Sequence, residues 1–401
     1  MGHNACRPLS SPPLSASRSS QHLDLIRGLA AVAVLIFHVR YRFFLDYSEV
    51  PTPTMLGIVW YLVTSFGHDA VMVFFVLSGF LIGSSVIRAH GEKRWSWRQY
   101  LTSRFARLYV VLLPGLLLTV LWDQIGLRWF GGHEIYTGLA AGYANDYFSV
   151  PARSSLSVLT CNAVFLQGVF CPPFGSNDAL WSLSFEFWYY IVFPLLVAAA
   201  LPGARWRRLT AASLAAAALW LCGPQIAKYL LVWLLGVGVA LLPAARLDRR
   251  HWWTCALVGL GAFSLVVIAT HTSLVRSRLG LSLWATDAAT ALAFSTWLYV
   301  MLQDRTPPEP GLYGSIAAWL SNCSFSLYVL HLPVLVFFRA LLVPARPWAP
   351  APGTIAAGLA VAAGVLVYAA LIARVTEAHT ASVRRFLLGK RPSRPDRRHA
   401  S

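Results

Sequence analysis

Long apolar runs alternate along this chain with short polar segments that carry most of its lysines and arginines. A helix that crosses a bilayer needs roughly 20 apolar residues. Windows of that kind predict ten spans, at about 23–44, 69–87, 108–126, 180–201, 209–222, 228–243, 252–271, 282–302, 319–342 and 354–375. Residues 55–66 and 156–170 are apolar but too short to cross, and read as interfacial or re-entrant. In the second span Gly79 and Gly83 have the small-xxx-small spacing that lets two helices approach closely. Pro224 separates the fifth and sixth spans and predicts a tight hairpin. The expected fold class is an all-α polytopic membrane protein of about ten transmembrane helices, with both termini cytoplasmic.

Composition agrees. Of the 401 residues, 57% are hydrophobic and only 12% charged, which is far too apolar for a soluble domain of this length. The net charge of +17 would suit a nucleic-acid binder. Its placement argues against that: the cations cluster at 88–107, 205–208, 246–250 and 384–398, as the positive-inside rule requires. Three units follow: a disordered cytoplasmic leader (1–21), a membrane domain (22–376) and a basic cytoplasmic tail (377–401) expected to be unstructured. No metal is expected, because the six cysteines show no CxxC or Cys/His spacing. Cys161 and Cys171 share one outward segment and could form a disulfide; the other four read as small apolar residues.

The most informative stretch is 24–38, DLIRGLAAVAVLIFH. Arg27 and His38 are eleven residues apart. Eleven steps of ~100° return to nearly one bearing, so both face the same side of a helix about 16 Å apart. Asp24 lies one turn before Arg27. Ionisable groups inside a membrane must face the bundle or a wet cavity, and their default reading is functional. Glu186, in an aromatic-rich span, needs a partner for the same reason.

Five phrases occur together and in order: R-x10-H in span one, FFVLSGFLIG in span two, RxxR at Arg104 and Arg107, WSLSFEFWYYIVFP in span four and SFSLYVLHLP in span nine. This set resembles the acyltransferase family 3 membrane proteins, over about residues 22–375. The resemblance implies an acyl-coenzyme A-dependent O-acyltransferase of the inner (plasma) membrane. Acyl-coenzyme A, by default acetyl-coenzyme A, is then a co-substrate, with no tightly bound cofactor. The expected acceptor is a hydroxyl of a cell-surface or exported glycan. Acylation of a secondary metabolite such as a macrolide, or a transporter or flippase with a His/Arg relay, are the alternatives.

The resemblance and the chemistry of the residues together suggest roles. His38 is the catalytic candidate, as general base or as the acylated group itself; the plain reading is a histidine bonded to a backbone carbonyl. Arg27 would bind a phosphate or the developing oxyanion, or else be a positive-inside residue at the inner water boundary; Asp24 would orient it or be a plain helix-start carboxylate. Arg104 and Arg107 would hold the phosphates of coenzyme A, since paired guanidiniums suit dianions; generic positive-inside charge is the rival. Glu186 would orient His38 or Arg27, or bind the acceptor. His331 is read either as a substrate-site or as a structural polar residue. His68 and Asp69, near the outer end of span two, are acceptor-side candidates, with Asn177 and Asp178 weaker ones.

Overall fold

The computed structural model describes residues 17–138, 149–245, 247–343 and 346–389, apart from the side chains of Ser273 and Leu274. Most of the expected leader and the tail from residue 390 lie outside the described residues. Among the described residues there is no strand, only two isolated bridges, Phe44 with Trp348 and Gln167 with Cys171. In chain order the helices are α1 (Arg18–Phe43), α2 (Met55–Val63), α3 (Gly67–Gly91), α4 (Trp97–Phe130), α5 (Glu134–Thr137), α6 (Leu156–Ala163) and α7 (Trp181–Ala200). There follow α8 (Arg205–Leu241), α9 (Arg249–His271), α10 (Ser273–Leu279), α11 (Leu283–Met301), α12 (Leu312–Leu342), α13 (Pro352–Val375) and α14 (Thr380–Leu387).

Eight helical stretches are long and apolar enough to cross a membrane. Helix α11 is not among them. It buries Thr286, Asp287, Thr290 and Ser295, a polar load that lowers its hydropathy while tying it to its neighbours. Helix α12 is the central post, with 78% of its apolar window buried; α9, at 17%, is peripheral. Helix α1 packs along α12 so closely that a Cβ on Gly28 would collide with Leu320.

The expected hairpin is present inside α8. Gly223 breaks the helix at φ 80°, ψ 174°. Near the start of α8 the Arg208 Nε donates to the Ala199 carbonyl. Beyond Gly223, the Ile226 carbonyl accepts from Tyr189, and Trp233 packs on Phe193. A straight helix would carry Trp233 some 37 Å past Arg208, whereas Phe193 is only six residues from Ala199. The chain therefore reverses at Gly223. The returning half presses on α3 backbone to backbone: a Cβ on Gly79 would strike the Trp233 carbonyl, and one on Gly236 the Val76 carbonyl.

Three local expectations change. Helix α4 starts at Trp97, well before 108, because its first three turns are amphipathic and hold Arg104 and Arg107 on one face. Residues 377–387 are helical, not a loose tail. Glu377 anchors them by accepting from the Ser326 N–H and Oγ, and α14 packs on α4. Cys161 and Cys171 are joined in a disulfide that closes the loop after α6.

Candidate active site

Helices α1, α3, α4, α7 and α12 enclose a chamber of about 350 Å³. Its polar lining is Arg27, Arg104, Arg107, Glu186, Tyr190, Ser78, Ser182 and Ser324; Phe74, Phe75, Leu108 and Tyr328 are among its apolar walls. Three guanidiniums face one carboxylate, so the chamber is cationic. Arg27 and Glu186 are held by neighbouring side chains. The Arg27 Nη1 donates to Ser321 Oγ at 3.2 Å, and that hydroxyl donates to Asp24 at 2.8 Å. Asp24 thus fixes Arg27 through Ser321; their direct separation is 3.9 Å. Glu186 accepts from Ser78 at 3.1 Å and from Tyr190. It bonds to neither His38 nor Arg27, so the orienting role expected for it is carried by other side chains.

Arg104 lies with its guanidinium carbon 5.4 Å from the Tyr100 ring centre and 5.9 Å from that of Tyr190. Its Nε–H is buried and has no acceptor. A buried donor costs free energy unless something accepts from it. An anion in the chamber would satisfy it, so this donor set fits a phosphate group.

His38 does not line the chamber. It sits further along α1 against His331 of α12, with ring centroids 4.9 Å apart. The network assigns the protons. His331 Nδ1 faces the Leu327 and Tyr328 carbonyls at 3.0 and 2.8 Å, so it carries hydrogen. His331 Nε2 is then an acceptor, and His38 Nδ1 lies 3.1 Å from it. His38 Nδ1 also faces the Val34 carbonyl at 2.9 Å and must likewise be protonated. The remaining nitrogen, His38 Nε2, is left with a lone pair and no donor among the described residues. The buried His331 and the half-buried His38, locked in one tautomeric order, present a single basic atom. The backbone bond expected of a plain structural histidine is present too, but here it sets the tautomer.

Tyr328 joins the two regions. Its ring borders the chamber, its carbonyl holds His331, and its hydroxyl lies 2.5 Å from Ser182 Oγ.

The remaining candidates lie elsewhere. His68 Nε2 is 3.1 Å from Asp287, which also accepts from Tyr229. Asp69 takes His271 at 2.6 Å and Thr290 at 3.1 Å. These pairs bind the end of α3 to α8, α9 and α11, and neither His68 nor Asp69 lines the chamber. Asn177 is fully buried and donates to Thr119 and to the Val329 carbonyl. Asp178 accepts from Arg153 at 3.2 Å. Sequence reasoning did not reach Ser321, Tyr328 or Glu377, whose carboxylate lies within the fields of Arg107 and Arg27. It placed Tyr190 among lipid-facing or interfacial aromatics, but Tyr190 is buried in the bundle, lines the chamber and bonds Glu186. One signal for Glu377 was available: a carboxylate directly after the C-terminal end of an apolar helix opposes the helix dipole and needs a reason to be there.

Fold and site together define a polytopic helical membrane protein with a cationic intramembrane chamber and a hydrogen-bonded histidine pair. The chain belongs to acyltransferase family 3: the family model described as an acyltransferase domain matches residues 21–374. Among its curated relatives are the acyltransferase MdmB of Streptomyces mycarofaciens, 27% identical over 50% of this chain and 42% of that protein. Nodulation protein 10 of Rhizobium leguminosarum bv. viciae is 27% identical over 51% of this chain and 52% of its own length. An O-acetyl transferase of Shigella phage Sf6 is 26% identical over 45% and 46%. The chain spans about half the length of the curated relatives it matches. No solved structure matches.

Proposed function

We propose that this protein is an integral-membrane O-acyltransferase. It moves a short acyl group from cytoplasmic acyl-coenzyme A to a hydroxyl of a surface or exported glycan. The observation that carries the reading is the chamber of Arg27, Arg104 and Arg107 lying below a histidine pair with one free basic nitrogen. Coenzyme A phosphates dock on Arg104 and Arg107. The pantetheine arm runs along α1 past Tyr328. His38 Nε2 takes the proton of the acceptor hydroxyl as its oxygen attacks the thioester carbonyl. The C–S bond breaks, and the imidazolium returns the proton to the departing thiolate. Products are the ester and free coenzyme A. His331 positions His38. Arg27, about 16 Å from His38 along α1, belongs with the donor phosphates, since it is too distant for the oxyanion at His38. Acetyl is the default acyl group, because one relative is named O-acetyl transferase.

The membrane domain, about residues 22–376, crosses ten times in this reading: eight uninterrupted helices and the two 18-residue arms of α8. Both termini then lie in the cytoplasm, in a multi-pass protein of the cytoplasmic membrane. The disulfide at Cys161–Cys171 supports this orientation, because disulfides persist on the oxidising side.

The test is acyl transfer in proteoliposomes with radiolabelled acetyl-coenzyme A and added surface glycan. Wild type should label the glycan and His38→Ala should not. Absence of transfer, hydrolysis and protein labelling with every short acyl donor would remove the acyltransferase reading.

A further inference from the structure

At the end of the bundle where α1 and α9 begin, a second cavity of about 360 Å³ is lined by Arg18, Arg249, Arg305, Trp252, Gln303 and Asp304, among others. It shares no lining residue with the chamber. Two of its groups are unsatisfied. Gln303 is 7% exposed, and its Nε2 donates to the Tyr299 carbonyl at 2.7 Å. That bond fixes the amide orientation, so Oε1 is the acceptor, and it is buried without a donor. The Arg18 Nε–H is buried without an acceptor, although Arg18 Nη2 pairs with Glu309 at 2.7 Å. A ligand that completes this site must therefore both accept and donate.

The charges point to an anion. Arg249 and Arg305 make no ion pair among the described residues. Asp304, whose oxygens are engaged by His22 at 3.0 Å and by the Thr306 N–H and hydroxyl, offsets only one of these two charges, so the cavity stays net positive. Burial alone would raise the Asp304 carboxyl; those hydrogen bonds outweigh it and hold it below the usual carboxylate value. The first turn of α1, which has no side-chain cap, adds the positive end of a long helix, whereas the start of α9 is already capped by Asp248.

The surroundings point to a lipid. Helix α9 is the least buried of the crossing helices and exposes Leu257, Val258 and Leu265 directly beyond the cavity. Trp252 and the half-exposed Trp253 stand at its apolar edge, as interfacial aromatics do. Basic cavities of this kind between membrane helices recognise anionic headgroups.

We propose that this cavity seats the headgroup of an anionic phospholipid that carries a free hydroxyl, of the phosphatidylglycerol type. The phosphate sits toward Arg249, Arg305 and the Arg18 Nε–H, and the headgroup hydroxyl donates to Gln303 Oε1. The site is independent of the acyl-transfer reading and stands or falls by binding alone.

Native mass spectrometry of the purified full-length protein in mixed micelles tests it, using phosphatidylglycerol, phosphatidylcholine and inorganic phosphate as probes. Wild type should retain one phosphatidylglycerol and no phosphatidylcholine. Arg249→Gln with Arg305→Gln should weaken retention about thirty-fold, at roughly 1 kcal/mol per arginine. Both side chains lie at the exposed rim, so the fold should survive. Gln303→Met should weaken phosphatidylglycerol several-fold, a loss that general charge attraction would not produce. Equal retention of phosphatidylcholine, or unchanged retention in the double variant, would overturn the proposal. So would displacement of phosphatidylglycerol by millimolar inorganic phosphate in wild type, which would make this a soluble-anion site.

Discussion

The two halves of α1 meet opposite surroundings. At Arg27 the helix faces a roomy chamber with three guanidiniums, a carboxylate and an orphaned Arg104 donor. Three turns on, His38 faces a packed wall, where every polar contact is made by another histidine or a backbone carbonyl. The first environment is loose and charged, suited to gripping a flexible polyanion whose position need not be exact to an ångström. The second is tight and neutral, suited to holding one ring in one tautomer. A single rigid helix keeps the two tasks at a constant separation. The comparison teaches that the two environments suit different tasks: in the proposed reading binding and proton transfer are divided between them, and substitutions in each should show different kinetic signatures.

His38→Ala should have the largest effect, a loss of about 10²- to 10⁴-fold in kcat, the usual contribution of a general base. The KM for acyl-coenzyme A should stay within about twofold, since the chamber is untouched. A raised donor KM would mean that the two regions are one. Arg104→Ala with Arg107→Ala should do the reverse: a donor KM raised about thirty-fold, from about 2 kcal/mol of lost charged hydrogen bonding, with acceptor KM unchanged. Equal changes in both constants would remove the docking role. Smaller again is His331→Ala, at about tenfold in kcat, because His38 keeps its Val34 bond but loses its second acceptor. His331→Gln, whose amide oxygen can accept from His38 Nδ1, should recover much of the loss. Failure of Gln to do better than Ala would make His331 a packing residue.

The division was partly legible in the sequence. Apolar runs gave the helices, Pro224 marked the reversal, and the eleven-residue spacing put Arg27 and His38 on one face, because all three signals are local. The partners were not legible. His38 and His331 are 293 positions apart, and Asp69 and His271 are 202 apart; no period or propensity links such pairs. His331 therefore looked like a lone polar residue in an apolar phrase. Glu186 shows the same limit. A carboxylate inside a span does need partners, but that Ser78 and Tyr190 supply them is a product of tertiary packing. Helix α11 was legible as the span at 282–302, but not its character: its buried Thr286, Asp287, Thr290 and Ser295 tie it to its neighbours by side-chain bonds, which hydropathy alone cannot rank. The boundary at 376 cut off Glu377 because the apolar pattern ends one residue earlier, while the carboxylate reaches back to Ser326.

Tyr328 should give the smallest effect and the sharpest test of how the regions connect. Its ring closes the chamber on the side of the histidines, packed edge-on against Phe74 at 5.9 Å. Phe74 itself contacts both the main core and the cluster around α1 and α13, so these two rings form the partition between chamber and histidine wall. On the proposed route, an acyl group carried up from the arginines would have to pass or displace them. Tyr328→Phe keeps the ring and removes only the hydroxyl bond to Ser182, a net cost of about 1 kcal/mol. Acetyl transfer should then change by less than about fivefold. Longer acyl donors should gain relative to acetyl, because a ring released from Ser182 can swing further from the path. An unchanged butyryl-to-acetyl ratio would show that the partition is not on the acyl route. The donor would then reach His38 by another face of α1, and the chamber would serve the phosphates alone.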